Sequence, residues 1–247
     1  MGLHLIYELV IYNNTKEVYK MGKKLSNKKL SMMFAVGILG CILMAASDWL
    51  MIWGNTAFEG NLAWLTLGVA KIPEWRNALA MGFAFPAVIL YAVGLLNMSY
   101  LIKDHKDKMI YSALTAIGFT PWLCIHLLYT MILFGFSFIY NNVSEDLAYE
   151  VCEATFSHFT FVVLVGQVIM LLPFIYLFVI TLRKKTVFPK WMCINNPLII
   201  YVVLKAITIV MPDTAFRLAF TNGLMSEAML IWFIIYIAFL PKYRKVK

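Results

Sequence analysis

Two residues able to do acid–base chemistry stand inside long apolar stretches, where ionisable groups are rare: Asp48 and His126. A charged side chain at membrane depth is costly, so each is a functional candidate by default. Gly37, Cys41 and Ala45 precede Asp48 at four-residue spacing. Small residues in that pattern let helices approach closely, which turns Asp48 into a bundle rather than toward lipid. Thr115, Trp122, Thr130 and Ser137 project on roughly the side of His126 and give its helix a polar stripe. An Asp–His pair in a low dielectric can hold a proton, orient an imidazole as general base, or bind a cation. The structural alternative is a buried hydrogen bond between helices, worth about 0.6–2 kcal/mol.

Other polar groups widen the candidate ligand-binding set to Asp48, His126, His158, Lys205 and Glu227. His158 and Glu227 fall near the outer ends of their stretches, and Lys205 lies near mid-membrane, too deep to snorkel easily. It is expected to pair with a carboxylate, Glu227 or Asp48, or to open onto water. Asp213 and Arg217 read as interfacial groups and Gln167 as interhelical glue. Glu145, Asp146, Glu150 and Glu153 form an acidic segment without the turn glycine and alternating ligands of a calcium loop, so they read as a solvated helix face. No Gly-rich phosphate loop, HExxH, GxSxG or CxxC occurs, and no cofactor or metal is implied.

The elements that hold these residues follow from composition. With 62% apolar and 14% charged residues among 247, the chain departs far from the soluble average of about 45–50% and ~25%. Six stretches approach the roughly 20 apolar residues that a crossing needs. They fall near 31–53, 77–102, 109–139, 156–182, 197–216 and 222–240, and no gap between them can hold a globular domain. The expectation is an all-α, polytopic membrane bundle of six transmembrane helices. A basic cytoplasmic segment (1–30) precedes the six-helix domain (31–240), and a basic cytoplasmic tail (241–247) follows it.

Lys and Arg alternate between the gaps. Residues 16–29, 103–108, 183–190 and 242–247 are rich in them, whereas the other gaps carry only Lys71, Arg76 and Arg217. Short basic loops stay cytoplasmic, so both termini are read as inside a multi-pass protein of the plasma membrane. The net charge of +8 belongs to that topology and to anionic lipid rather than to nucleic acid. Residues 31–47 read as an uncleaved first span, because apolar sequence continues through Trp53. Leu3, Leu5, Ile6, Leu9 and Val10 suit a short interfacial helix, with Met21 as an alternative start. The apolar gap 54–76 suits a segment lying at the outer interface. Pro86, Pro121 and Pro173 sit inside stretches two, three and four, where each is expected to kink its helix.

The run Gly37–Trp53 with Ser47-Asp48-Trp49, the glycine-rich second stretch, and a third with Trp122 and His126 resemble an uncharacterised family of small six-span bacterial membrane proteins, known as a domain of unknown function. The resemblance covers roughly 30–240 and implies no activity. From the residues, the favoured reading is an outward-facing polar cavity that binds or moves a small amphiphile or ion, or that serves an accessory or immunity role. One alternative is a lipid-modifying transferase or hydrolase with His126 as base, Asp48 as its orienting partner, and Lys205 or His158 stabilising charge. The other is a structural subunit alone.

Overall fold

The computed structural model describes residues 25–53 and 73–244. The segment at 1–24, nearly all of the 54–76 gap, and Lys245 and Lys247 lie outside the described residues. Within them are six α-helices: α1 (Asn27–Ile52), α2 (Glu74–Asn97), α3 (His105–Asn142), α4 (Glu145–Leu182), α5 (Pro197–Val210) and α6 (Ala215–Tyr243). Short 3₁₀ turns at Met98–Leu101 and Lys190–Ile194 lead out of α2 and into α5. Five of the helices are long and apolar enough to cross a membrane, and α5 is the shorter sixth. The chain is a multi-pass helical membrane protein.

Local chemistry sets the helix starts. Ser26, Asp104, Ser144, Asn196 and Thr214 each accept a first-turn backbone N–H of the helix they precede, satisfying a donor that has no intrahelical partner. One boundary differs from expectation, and one helix runs past its apolar stretch. The fourth helix begins at Glu145, where Ser144 caps it directly after the turn at Val143, so the acidic run expected as a solvated helix face forms its first turns. The α3–α4 hairpin therefore extends 38 residues on each side, about 57 Å at 1.5 Å per residue. The fifth helix ends at Val210 and the sixth starts at Ala215, not near 216 and 222. Pro212 disfavours helix at Met211, and Thr214 opens the next helix. The acidic residues Glu145, Asp146, Glu150 and Glu153 are exposed along the first turns of α4, where negative charge suits a helix N-terminus.

The basic segments meet at one end of the bundle. Arg244 donates to Leu25 O and Asn27 Oδ1, and Asn27 Nδ2 donates back to Arg244 O. Backbone bonds Lys103 N to Lys185 O and Val187 N to Leu101 O tie the α2–α3 connection to the α4–α5 connection. Asp107, in the first turn of α3 ahead of its apolar run, is buried and accepts from Lys185 Nζ at 2.8 Å and Tyr176 OH at 2.7 Å. The opposite end is tied by Asn142 Nδ2 to Glu74 Oε1. Arg76 donates to Trp53 O at the end of α1, and Arg217 to Met211 O just past α5. Both arginines thus lie against the negative ends of helices.

Packing is uneven. α1 lies between α2 and α6, and α3 pairs with α4. Gly37 and Gly94 bring α1 and α2 to backbone contact: a Cβ on Gly94 would sit 2.7 Å from Gly37 Cα and 2.7 Å from the Phe233 ring. Pro173 deprives Ile169 O of its helical donor, and Gly118 of α3 brings its backbone up to that carbonyl, where a Cβ would lie 2.8 Å away.

Two predictions follow from these contacts. Gly94→Ala adds about 1 kcal/mol of helix propensity but forces overpacking worth about 1–3 kcal/mol against backbone that cannot yield. It should lower the thermal midpoint in detergent by several degrees, whereas Gly82→Ala, with open space around it, should hold or raise it. The second concerns Asp107, whose carboxyl the Lys185 ammonium beside it holds below the usual carboxylate range. Its contribution is present above the ordinary carboxylate pKa near ~4 and is lost as pH falls through the lower folded value. Asp107→Asn should cost about 1 kcal/mol, discounted because Lys185 is partly exposed. The gap from wild type should stay constant between about pH 7 and 5 and close only below about pH 4, read by thermal unfolding across pH.

Candidate functional site

Asp48 lies 21 residues into α1 and His126 lies 21 residues into α3, each about 32 Å from its helix start. Both helices run away from the basic end, so the residues share one level. Gly37, Cys41 and Asp48 are all buried, and Asp48 faces the bundle interior. Its Oδ1 lies 3.6 Å from His126 Nε2. That spacing is longer than a direct hydrogen bond and within the span of one bridging group. Asp48 accepts no hydrogen bond among the described residues, and His126 Nε2 is buried without one.

The pair borders a cavity of about 220 Å³ formed by α1, α2, α3, α4 and α6. Tyr91 and Phe119 lie at its lower level, and Met44, Met51 and Leu123 add apolar wall. Gln167 of α4 and Asn222 of α6 line it and are exposed, which puts its mouth between these two helices. The neighbouring face of α4 is apolar and exposed at Phe161, Leu164 and Val168. Toward the basic end the interior is filled by Phe34, Phe174, Trp232, Phe233 and Tyr236, all buried. Phe174 meets Trp232 edge-on at 5.9 Å.

Glu227 stands beside this cavity but turns to α1. Its Oε1 accepts from Trp49 Nε1 at 2.9 Å, and its Oε2 is buried without a partner. Gly223, one turn earlier, leaves room for the contact: a Cβ there would lie 3.0 Å from Glu227 Oε1 and 3.1 Å from Trp49 Nε1. Trp49 also stacks on Trp53 and meets Phe216 edge-on.

The other candidates lie elsewhere. Lys205 is exposed on α5, away from the lining of the cavity, so neither Asp48 nor Glu227 serves as its counter-ion among the described residues. The helical period puts it on the outward face of α5, with Val202 and Ile209, which are more than half exposed. His158 is exposed on α4 and its Nδ1 lies against Ala154 O and Ser157 Oγ. Asp213 and Arg217 pair at 3.8 Å, and Gln167 makes no interhelical bond but edges the cavity mouth. Sequence reasoning did not single out Tyr91, Tyr129 or Ser226, which line the cavity, nor Asp107. For Tyr91 and Tyr129 the available signal was an aromatic at bundle depth, which core packing produces equally well.

A family model described as "Family of unknown function (DUF6796)" matches residues 21–243. The chain belongs to this family. No curated protein and no solved structure matched it. Membership agrees with the resemblance read from Asp48, Trp122 and His126, and assigns no chemistry to them.

The Trp49–Glu227 contact yields a prediction of its own. Trp49→Phe leaves both carboxyl oxygens of Glu227 without donors and should cost about 1–3 kcal/mol. Adding Glu227→Leu should recover part of that loss, since the orphaned group is then gone. A double-mutant cycle on thermal stability in detergent checks it, and strict additivity would show that the hydrogen bond carries no coupling.

Proposed function

We propose that the protein binds a small amphiphile in the cavity at Asp48 and His126, within the outer half of the plasma membrane. The single observation behind this is an apolar-walled space bordered by a buried carboxyl 3.6 Å from an imidazole whose Nε2 makes no hydrogen bond among the described residues. A cavity of about 220 Å³ exceeds the roughly 150 Å³ that holds benzene. It is smaller than the ~300–1,000 Å³ pockets of drug-sized ligands. A compact head group with the first part of a chain fits that size. Its mouth between α4 and α6 adjoins apolar exposed side chains, which suits entry from the lipid.

The membrane placement belongs to the same reading. The basic end is cytoplasmic by the positive-inside rule. We read α5, whose 14 helical residues give about 21 Å, as a short sixth crossing. An even number of crossings matches the start of α1 and the end of α6 meeting through Arg244 and Leu25. The aromatic fill toward the basic end favours binding over passage to the cytoplasm. The transferase or hydrolase alternative gains nothing from Lys205 or His158, which stand away from the pair.

Native mass spectrometry of protein purified from its membrane tests this. Wild type should carry a small molecule released on unfolding, and Gln167→Trp, which obstructs the mouth at an exposed position, should lose most of it. Ser226→Phe, which fills the cavity from α6, should lose it too, with thermal stability and size-exclusion profile confirming the fold. Equal retention by the Gln167→Trp variant would overturn the cavity as the binding place.

A further inference from the structure

We infer that the ligand taken by this cavity carries an organic cation, an ammonium head that lies against Asp48. This rests on the binding reading above and names its chemical class. Among the described residues no Lys or Arg lines the cavity, and Asp48 is the one acidic residue that does. Glu227, a second carboxyl with a buried unpartnered oxygen, lies just behind on α6. Arg76 and Arg217, the arginines at this end of the bundle among the described residues, are turned to backbone carbonyls of the α1 and α5 termini. An anionic head group entering here would meet carboxyl groups and find no fixed cation to neutralise it, at a depth where unpaired charge is costly. An uncharged head would leave the buried carboxyl protonated, or ionised without a counter-charge. An ammonium resolves both.

The walls support the same class. Trp122, Tyr129, Tyr91 and Phe119 put aromatic groups in the wall of the same cavity, and aromatic faces attract desolvated organic cations. Met44 and Met225 add polarisable, adaptable surface for the attached chain. A bare metal ion suits the site poorly, since no group of three His, Cys, Asp or Glu able to hold one occurs among the described residues. The His126 Nε2 without a hydrogen-bond partner, 3.6 Å from Asp48, offers a second acceptor in its neutral form, which favours an ammonium bearing N–H groups over a quaternary one.

The experiment compares three probes with one tail: dodecylamine, dodecanol and dodecyl phosphate, each radiolabelled, binding to full-length protein in dodecyl maltoside. Dodecylamine should bind saturably and at least tenfold more tightly than the other two. Asp48→Asn, isosteric and uncharged, should abolish that preference by weakening the amine at least tenfold while leaving dodecanol within about twofold. Trp122→Leu should weaken the amine more than the alcohol, which keeps the test open if Asp48→Asn aggregates. Equal binding of the three probes, or an amine preference that survives Asp48→Asn, overturns the cation inference and leaves amphiphile binding standing. No saturable binding of any probe overturns both.

Discussion

The backbone contact between α1 and α2 is the constraint from which the rest of the interior follows. Gly37 and Gly40 on α1, facing Gly94 and the Tyr91 backbone on α2, remove the side chains that would hold the helices at ordinary separation. With that face of α1 committed, its next face meets α6, through Phe34 against Phe233 and Trp49 against Glu227. Asp48 then turns toward the space that α3 and α4 enclose. Where helices touch through glycine there is no void to fill. Where α4 and α6 stand apart, the gap is filled by Phe174 and Trp232 toward the basic end and left open at the level of Asp48. Side-chain size along two helices thus decides where the cavity lies.

Depth was legible in the sequence because the rise along a helix is constant. Asp48 and His126 come to one level by counting from the ends of their helices, and the four-residue spacing of Gly37, Cys41 and Ala45 turns Asp48 inward. Direction was less legible for residues without such a frame. Lys205 was expected, from its depth, to pair with a carboxylate or open onto water; α5 packs mainly on α6 and leaves it exposed, without the carboxylate among the described residues. Hydropathy and capping mark different things: the run 145–155 is too polar to count as a span and reads as a solvated helix face, and Ser144 with the acidic first turn makes it one helix with the apolar stretch that follows.

Ion pairing divides the molecule in a way that composition does not reveal. Most of the basic residues crowd one end, and there the surplus is partly answered by Asp107, which joins α3 to the α4–α5 connection through Lys185 and Tyr176. At the other end the two described arginines answer backbone carbonyls at helix ends, Arg217 pairing with Asp213 as well. A guanidinium against the last carbonyls of a helix uses its fixed fork of donors and offsets the negative end of the macrodipole. That arrangement holds positive charge at the rim while keeping it out of the interior.

The consequence reaches Asp48. In most buried sites a carboxyl is balanced by a nearby Lys or Arg, and replacing either partner leaves an uncompensated charge. Among the described residues the base within reach is an imidazole at 3.6 Å, which matches the carboxyl only when it takes up a proton. The balance of the site is therefore incomplete among the described residues. A bundle built only for packing would gain from an apolar residue at position 48, since burying a carboxyl without a donor costs free energy and contributes no contact that Leu or Met would not. That the carboxyl sits on a face set by three small residues, beside an empty volume rather than a filled one, favours a ligand over interhelical glue.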